Sequence, residues 1–299
     1  MNNLLTECIP AGEGLTSLPF IKWAGGKRRS LNILRQFLPS PDEVECLVEP
    51  FVGGGSVFLG TDYRRYLLAD INADLIDMYL HVRDDPHWMI HQLKKLYVSG
   101  NNALAYNRNR NAFNVMKKSR EKSALFIYLN QHCFNGICRY NQSGKFNVPF
   151  GRRKVAYLPS PEILAFADKL TRCHVTFLHA GFSDTLDMMK TGTFSDRQCA
   201  VYCDPPYLPT SQTASFTTYN GKTFTEREHE HLSLQLTSLH SGTGTPVVIS
   251  ATDTSLSRRI YENAGFHLHS HEVARSISAH PASRQFTREL TGVLTRPAD

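Results

Sequence analysis

The chain has no Cys-x-x-Cys pair, and its seven cysteines (8, 46, 133, 138, 173, 199 and 203) are an odd number, several lying inside apolar runs. A disulfide framework or a zinc ribbon needs cysteines in matched pairs or at ligand spacing, so neither is expected, and a reducing cytoplasm is the compartment that fits. No stretch approaches about 18 uninterrupted apolar residues, so no membrane-spanning helix is expected. Met1 to Leu18 lacks an apolar core flanked by positive charge, the pattern of an export leader, and residues 1–18 read as a loose tail. Repeats and low-complexity tracts are missing as well. What remains is 299 residues with 41% apolar side chains, enough to bury roughly three quarters of the unfolded surface in one large domain or two joined ones.

Acidic residues are scarce in one region. Between Ala105 and Ala156 eleven lysines and arginines face the single acid Glu121, whereas the whole chain carries only +6, so the remainder is slightly acidic. Tyr106, Phe113, Phe126, Tyr128, Phe134, Tyr140, Phe146 and Phe150 are interleaved with those cations. Cations mixed with aromatics are what a surface meeting phosphates and bases requires. His132 and His174 stand alone and read as ordinary polar or packed residues, and no metal site is expected.

From Val44 the chain reads strand, glycine-rich loop (Gly53-Gly-Gly55-Ser56), short helix, then strand Tyr66 to Asp70. This resembles the opening of a doubly wound nucleotide-binding sheet, in which glycines let the backbone approach a ligand and an acid at the tip of the second strand, here Asp70, commonly takes ribose hydroxyls, although a glycine-rich turn alone is a weak signal. The third glycine of the dinucleotide spacing is missing, which disfavours a nicotinamide cofactor. Helical patterns fill Ile71 to Arg120 and Leu125 to Asn130, and Cys133 to Arg153 reads as a long loop or short hairpin. Sheet-like runs return at His174, Ala200 and Pro246, with a terminal antiparallel pair over Gly265 to Ser276 and Glu289 to Thr295. The basic segment therefore interrupts an α/β sheet.

Asp204-Pro205-Pro206-Tyr207 follows the apolar run Cys199-Ala-Val-Tyr-Cys203. An exocyclic amine on a nucleobase is a poor nucleophile because its lone pair is delocalised into the ring. Two fixed acceptors, the Asp204 carboxylate and the Pro205 carbonyl oxygen, could each take one amine hydrogen and turn the lone pair toward an electrophile. Tyr207 offers a flat face for a base displaced from its stack.

Together these residues resemble the DNA adenine methyltransferase (Dam) family, from about Phe20 to Leu294. Four blocks in order carry the resemblance: Phe20-Ile-Lys22-Trp23-Ala-Gly25-Gly26-Lys27; Glu49-Pro-Phe51-Val-Gly53-Gly-Gly55-Ser-Val-Phe; Asn135-Gly136-Ile137-Cys138-Arg139-Tyr140-Asn141 with Phe146-Asn-Val-Pro149-Phe-Gly-Arg152; and Asp204-Pro-Pro-Tyr207. The resemblance implies an α/β fold with a Rossmann-like, S-adenosylmethionine-dependent sheet (19–70 and 161–299) and an inserted, mainly helical target-recognition domain (71–160). It implies methyl transfer from S-adenosylmethionine to adenine N6, in GATC, on double-stranded DNA after base flipping, by a monomer in the bacterial cytoplasm. Trp23, Lys27, Phe51, Gly53, Asp70 and Asp204, with Phe182, fall at cofactor positions. Asp204, Pro205, Pro206 and Tyr207 fall at catalytic ones.

For DNA, the resemblance makes Arg139 a guanine reader, whose planar fork suits the O6/N7 edge, and Lys22 a contact to another guanine. It makes Phe134 the aromatic that enters the stack, with Asn135, Ile137, Pro149 and Arg152 framing the site. Arg153 departs from the pattern, since the family carries Tyr there. Three alternatives are weighed. A protein-glutamine methyltransferase uses a similar turn but with Asn in place of Asp204, a Rossmann oxidoreductase lacks support in the glycine spacing, and a non-enzymatic DNA-binding regulator has no use for two cofactor blocks.

Overall fold

Cys199–Cys203 and Val247–Thr252 are buried at every position, and so is Cys46–Glu49. Strands enclosed by helices on both faces must be apolar throughout, so these three form the centre of a mainly parallel sheet. The computed structural model describes residues 18–98, 100–152, 155–191, 198–208, 218–219, 222–274 and 286–295. Its principal sheet contains β1 (Cys46–Glu49), β2 (Arg65–Asp70), β3 (His174–His179), β4 (Cys199–Cys203), β5 (Val247–Thr252), β6 (His267–Ala274) and β7 (Phe286–Leu294). Their spatial order is β3-β2-β1-β4-β5-β7-β6, with β1 to β5 parallel and β7 antiparallel to both its neighbours. The terminal antiparallel pair expected from the sequence is β6 with β7.

Alternate strand residues face opposite layers, as the two-residue period of a strand demands. Leu47, Leu68, Ala200, Tyr202 and Val248 join one core, and Cys46, Val48, Leu67, Val201, Cys203 and Ile249 join the other. The first core takes residues from α3 (Ala73–Asp84), α4 (Pro86–Val98), α5 (Ala103–Val115), α6 (Arg120–His132) and α7 (Ser160–Arg172), preceded in the chain by the short α1 (Leu31–Leu34) and α2 (Ser56–Gly60). The second takes residues from α8 (Phe182–Thr191), α9 (Glu226–Thr243) and α10 (Ser255–Asn263).

Local chemistry starts these helices where they start. Asn72, Asn102, Ser119 and Thr254 each accept a backbone N–H three residues on, satisfying an otherwise orphaned first-turn donor. Thr225 and Glu228 form a reciprocal capping box at α9. The helices α3 to α6 lie between β2 and β3 in the chain, as the sequence leads one to expect. They share an apolar core with one face of the sheet, so α3 touches β2 and β3 as well as α6.

Candidate active site

The chain leaves β1 for β2 and β3 on one side, then returns to β4 on the other, so β1 and β4 flank a topological switch point. In open α/β sheets the ligand crevice lies there, outside the carboxyl ends of the strands. A cavity of about 440 Å³ occupies this place, lined by Glu49 at the end of β1, Asp70 at the tip of β2 and Asp204 after β4, together with Trp23, Lys27, Phe51, Gly53, Phe182 and the whole Asp204–Tyr207 turn. Every residue that the sequence places at the cofactor or the chemistry is thus on one wall or another of a single cleft.

Gly53 shows why the loop is glycine. Its φ is +48°, and a Cβ there would stand 2.6 Å from Trp23 Nε1, so the indole lies directly on the loop backbone. Tyr79 of α3 donates its hydroxyl to the Gly53 carbonyl at 2.6 Å, fixing the loop from beneath. The Gly53 N–H donates to Asp70 Oδ2 at 3.1 Å and the Asn72 N–H to Asp70 Oδ1 at 2.9 Å. Burial outweighs these two bonds and pushes the Asp70 carboxyl up to about 6. Phe51 stacks on Phe182 with centroids 5.7 Å apart, and Phe224 meets both edge-on at the same distance. The three rings pack on one another and line the cleft as an aromatic wall, against which a flat heterocycle could lie.

At the other end of the cleft the buried Lys27 ammonium pairs with Asp204 Oδ1 at 2.8 Å, donates to Gly25 O at 2.7 Å, and lies 4.7 Å from the Tyr207 ring centroid. An ammonium has three donors, so these two bonds leave capacity for one more acceptor. Burial pushes Asp204 up to about 6, and Lys27 resists that rise. Glu49 is more extreme: burial, reinforced by the charge of Asp204, pushes its carboxyl up to about 8, and its Oε1 is enclosed with no hydrogen-bond partner among the described residues. Glu49 and Asp204 thus differ in character at neutral pH, one a protonated acid and the other an ion-paired carboxylate.

The second group of sequence-assigned residues lies on the chain between α6 and α7. Isolated antiparallel bridges Cys133–Phe150 and Tyr140–Phe146 fold residues 133–150 into a hairpin-like loop. The Phe134 N–H donates to Pro149 O at 2.9 Å, which places the half-exposed Phe134 beside exposed Pro149. Asn135 (φ +54°) and Arg152 (φ +51°) are exposed in left-handed conformations, and Ile137 is half-buried between them and the core. Arg139 Nε donates to Asn147 Oδ1 at 3.0 Å, so the guanidinium is held by a partner across the loop. Arg153 lies outside the described residues. Lys22 is half-buried, with its ammonium on Gln131 O at 3.0 Å.

A family model described as D12 class N6 adenine-specific DNA methyltransferase matches residues 23–277. The chain belongs to that family. Relatives named DNA adenine methylase agree. The Serratia marcescens protein is 40% identical over 272 residues, 91% of this chain and 96% of its own. The Escherichia coli (strain K12) protein is 42% identical over 272 residues, 91% of this chain and 93% of its own. A Vibrio cholerae serotype O1 protein (strain N16961) is 41% identical over 277 residues, 92% of this chain and 95% of its own.

This adenine-specific DNA methyltransferase has the mixed α/β architecture of S-adenosylmethionine-dependent enzymes, and among the described residues no helix is long and apolar enough to cross a membrane. Several residues of its site were not singled out in the sequence. Asn130, at the end of α6, accepts from the Lys22 N–H at 2.8 Å and donates to both Lys22 O and Gly136 O. Gln131 donates to Phe20 O at 2.8 Å. Gly136 completes this junction: its φ is +66°, and a Cβ would lie 2.4 Å from Lys22 Cβ. The segment from Phe20 to Lys22 and the loop that begins at Cys133 are thereby one hydrogen-bonded unit. The only signal in the sequence was polar Asn-Gln at the end of an otherwise apolar helix. Phe224 and Glu49 gave less, since each becomes informative only when β1 and α9 converge on the cleft.

Proposed function

We propose that this enzyme transfers a methyl group from S-adenosylmethionine to N6 of an adenine flipped out of double-stranded DNA, within GATC, and that it acts as a monomer in a bacterial cytoplasm. The observation that carries the reading is the convergence of the Asp204–Tyr207 turn, the glycine loop, Trp23 and Asp70 on one cavity of about 440 Å³ at the sheet's switch point. The residues present fit the cofactor. The Phe51, Phe182 and Phe224 wall, with Trp23, suits a purine. The spare acceptor capacity of Asp70 suits ribose hydroxyls, Lys27 suits a carboxylate, and the enclosed Glu49 Oε1 suits an ammonium. When bound, S-adenosylmethionine supplies a methyl group on a positively charged sulfur, an electrophile that needs no further activation.

The chain's own task is to make the amine reactive. Asp204, ionised above about pH 6 and steadied by Lys27, takes one amine hydrogen. The Pro205 carbonyl takes the other, and Tyr207 supports the extruded ring. The amine keeps its hydrogens until the methyl has arrived and releases one afterwards, so Asp204 need not act as a base. Cys203 sits buried in β4 behind the acid with its thiol pushed far up, which supports transfer without a covalent enzyme intermediate.

In the same reading, residues 71–160 form the DNA-reading part and 19–70 with 161–299 the catalytic part. Arg139, Phe134, Lys22, Asn135, Ile137, Pro149 and Arg152 meet the target, and Arg153, which stands where the family carries Tyr, either shifts the flanking preference or adds a phosphate contact. GATC as the site rests on the resemblance of the segment from Asn135 to Arg152 to the family's target-reading loop. Expression in cells lacking adenine methylation, followed by genome-wide mapping of modified adenines, tests this directly. N6-methyladenine confined to GATC is expected, and modification at another sequence or on another base overturns the assignment.

A further inference from the structure

Pro205 and Pro206 have no backbone N–H, so at these positions the catalytic turn can be tied down only through its carbonyl oxygens. One of those carbonyls has an identifiable donor. His229 on α9 is 1% exposed, and its Nε2 lies 3.0 Å from Pro206 O while its Nδ1 lies 2.7 Å from the Tyr261 hydroxyl of α10. A carbonyl oxygen accepts only, so Nε2 carries the hydrogen, Nδ1 keeps its lone pair, and the Tyr261 hydroxyl donates to it.

The surroundings agree with a neutral ring. Burial pulls His229 down to about 4, against the Pro206 carbonyl and Glu228, which favour the cation. Tyr261 stays a phenol because it is buried, and Cys203 beside it reinforces this. The imidazole also meets Phe224 edge-on at 4.8 Å, and Phe224 is part of the aromatic wall of the cleft. A single side chain therefore joins the catalytic turn, α10 and the proposed purine-binding wall.

We propose that His229 is a positioning residue for methyl transfer: its Nε2–H, oriented by Tyr261, holds the Pro206 carbonyl into the protein and so presents Asp204 and the Pro205 carbonyl to the target amine. This rests on the reading of the Asp204–Tyr207 turn given above and refines it. The Pro206 oxygen is already committed, so the amine's second acceptor is Pro205 O. The bridge carries no charge between about pH 6 and 9, so it adds no ionisation of its own to the pH dependence of the reaction.

The test compares wild type, His229→Gln, His229→Phe and Asp204→Ala in single-turnover methyl transfer, with S-adenosylmethionine and duplex affinities measured separately. Gln retains an N–H for Pro206 and an oxygen for Tyr261, whereas Phe fills the ring's volume with neither. His229→Gln should transfer within about fivefold of wild type. His229→Phe should be slower by on the order of 10²-fold with both affinities within about threefold, the signature of a misplaced reacting group. Wild-type transfer by His229→Phe, or equal losses in Gln and Phe, overturns the proposal. Asp204→Ala separates it from its parent: wild-type transfer by that variant overturns the reading of the turn, whereas its inactivity beside a fully active His229→Phe overturns only the role of His229. If His229→Phe does not fold, nitrogen NMR of the wild-type imidazole decides. The Nε2–H tautomer at about pH 7 is expected, and the Nδ1–H tautomer or an imidazolium contradicts it.

Discussion

Lys27 Nζ and Asp204 Oδ1 are 2.8 Å apart, so the first glycine-rich segment and the Asp204–Tyr207 turn, 177 residues apart in sequence, meet as a buried ion pair in the wall of the cleft. The family resemblance puts Lys27 among the cofactor positions. The geometry makes it in addition the cation that opposes the desolvation of Asp204, which burial has already raised to about 6.

Replacing Lys27 by Met should therefore raise the Asp204 pKa further, because removing an adjacent cation disfavours the ionised form. The acid limb of kcat/KM against pH, near 6 in wild type, should move upward, and activity at neutral pH should fall. An unmoved acid limb would show that the pair does not govern the ionisation of Asp204.

Stability should depend on pH in a direction set by Glu49. Its folded pKa, about 8, lies above the ordinary 4.5, so the folded state holds this proton more tightly, and stability is lost as pH rises through that interval. Asp70 and Asp204 act the same way only up to about 6. His132 and His229, pulled from 6.5 down to about 4, act oppositely up to 6.5. Among these groups, the interval from 6.5 to 8 thus isolates Glu49. Denaturant melts of the cofactor-free protein should lose on the order of 1–2 kcal/mol across it, and Glu49→Gln should flatten the slope.

Much of this was legible beforehand because parallel strands under two helical layers leave continuous apolar runs, as in Cys199–Cys203 and Val247–Thr252. The glycine loop and the acid at the tip of β2 were legible for a similar reason, since their spacing is dictated by the turn that joins strand to helix. α9, with its Thr225-x-x-Glu228 capping box, was not singled out in the sequence. Asn130, His229 and Phe224 were not readable. Each is an ordinary helical or loop residue until α6 reaches Lys22 and α9 reaches the Pro206 carbonyl, contacts that exist only in the folded chain.

Asn130→Ala should separate DNA reading from cofactor binding. It leaves Gly136 O and both Lys22 backbone groups without their shared partner, a loss of about 1–3 kcal/mol for buried polar groups. Methylation of cognate duplex should fall well beyond any change in S-adenosylmethionine affinity. Parallel losses in both would show that the junction is only a general prop of the fold.

Arg139→Ala should relax discrimination at one base pair, worth about 1–3 kcal/mol, while sparing affinity for scrambled duplex. Neutralising exposed Lys117 should instead weaken binding to every sequence and lower the slope of log affinity against log salt by about 1. Lys118 is paired with Asp77 and should contribute less. Equal losses on cognate and scrambled duplex for Arg139→Ala would remove it as a reader.

The most direct measurement is single-turnover transfer of labelled methyl to a duplex bearing one target adenine, comparing wild type with Asp204→Ala at matched occupancy. Duplex affinity within a few-fold, with transfer reduced by on the order of 10³-fold, is the expected result for loss of an acceptor aimed at the reacting amine. Transfer by Asp204→Ala at the wild-type rate would contradict it.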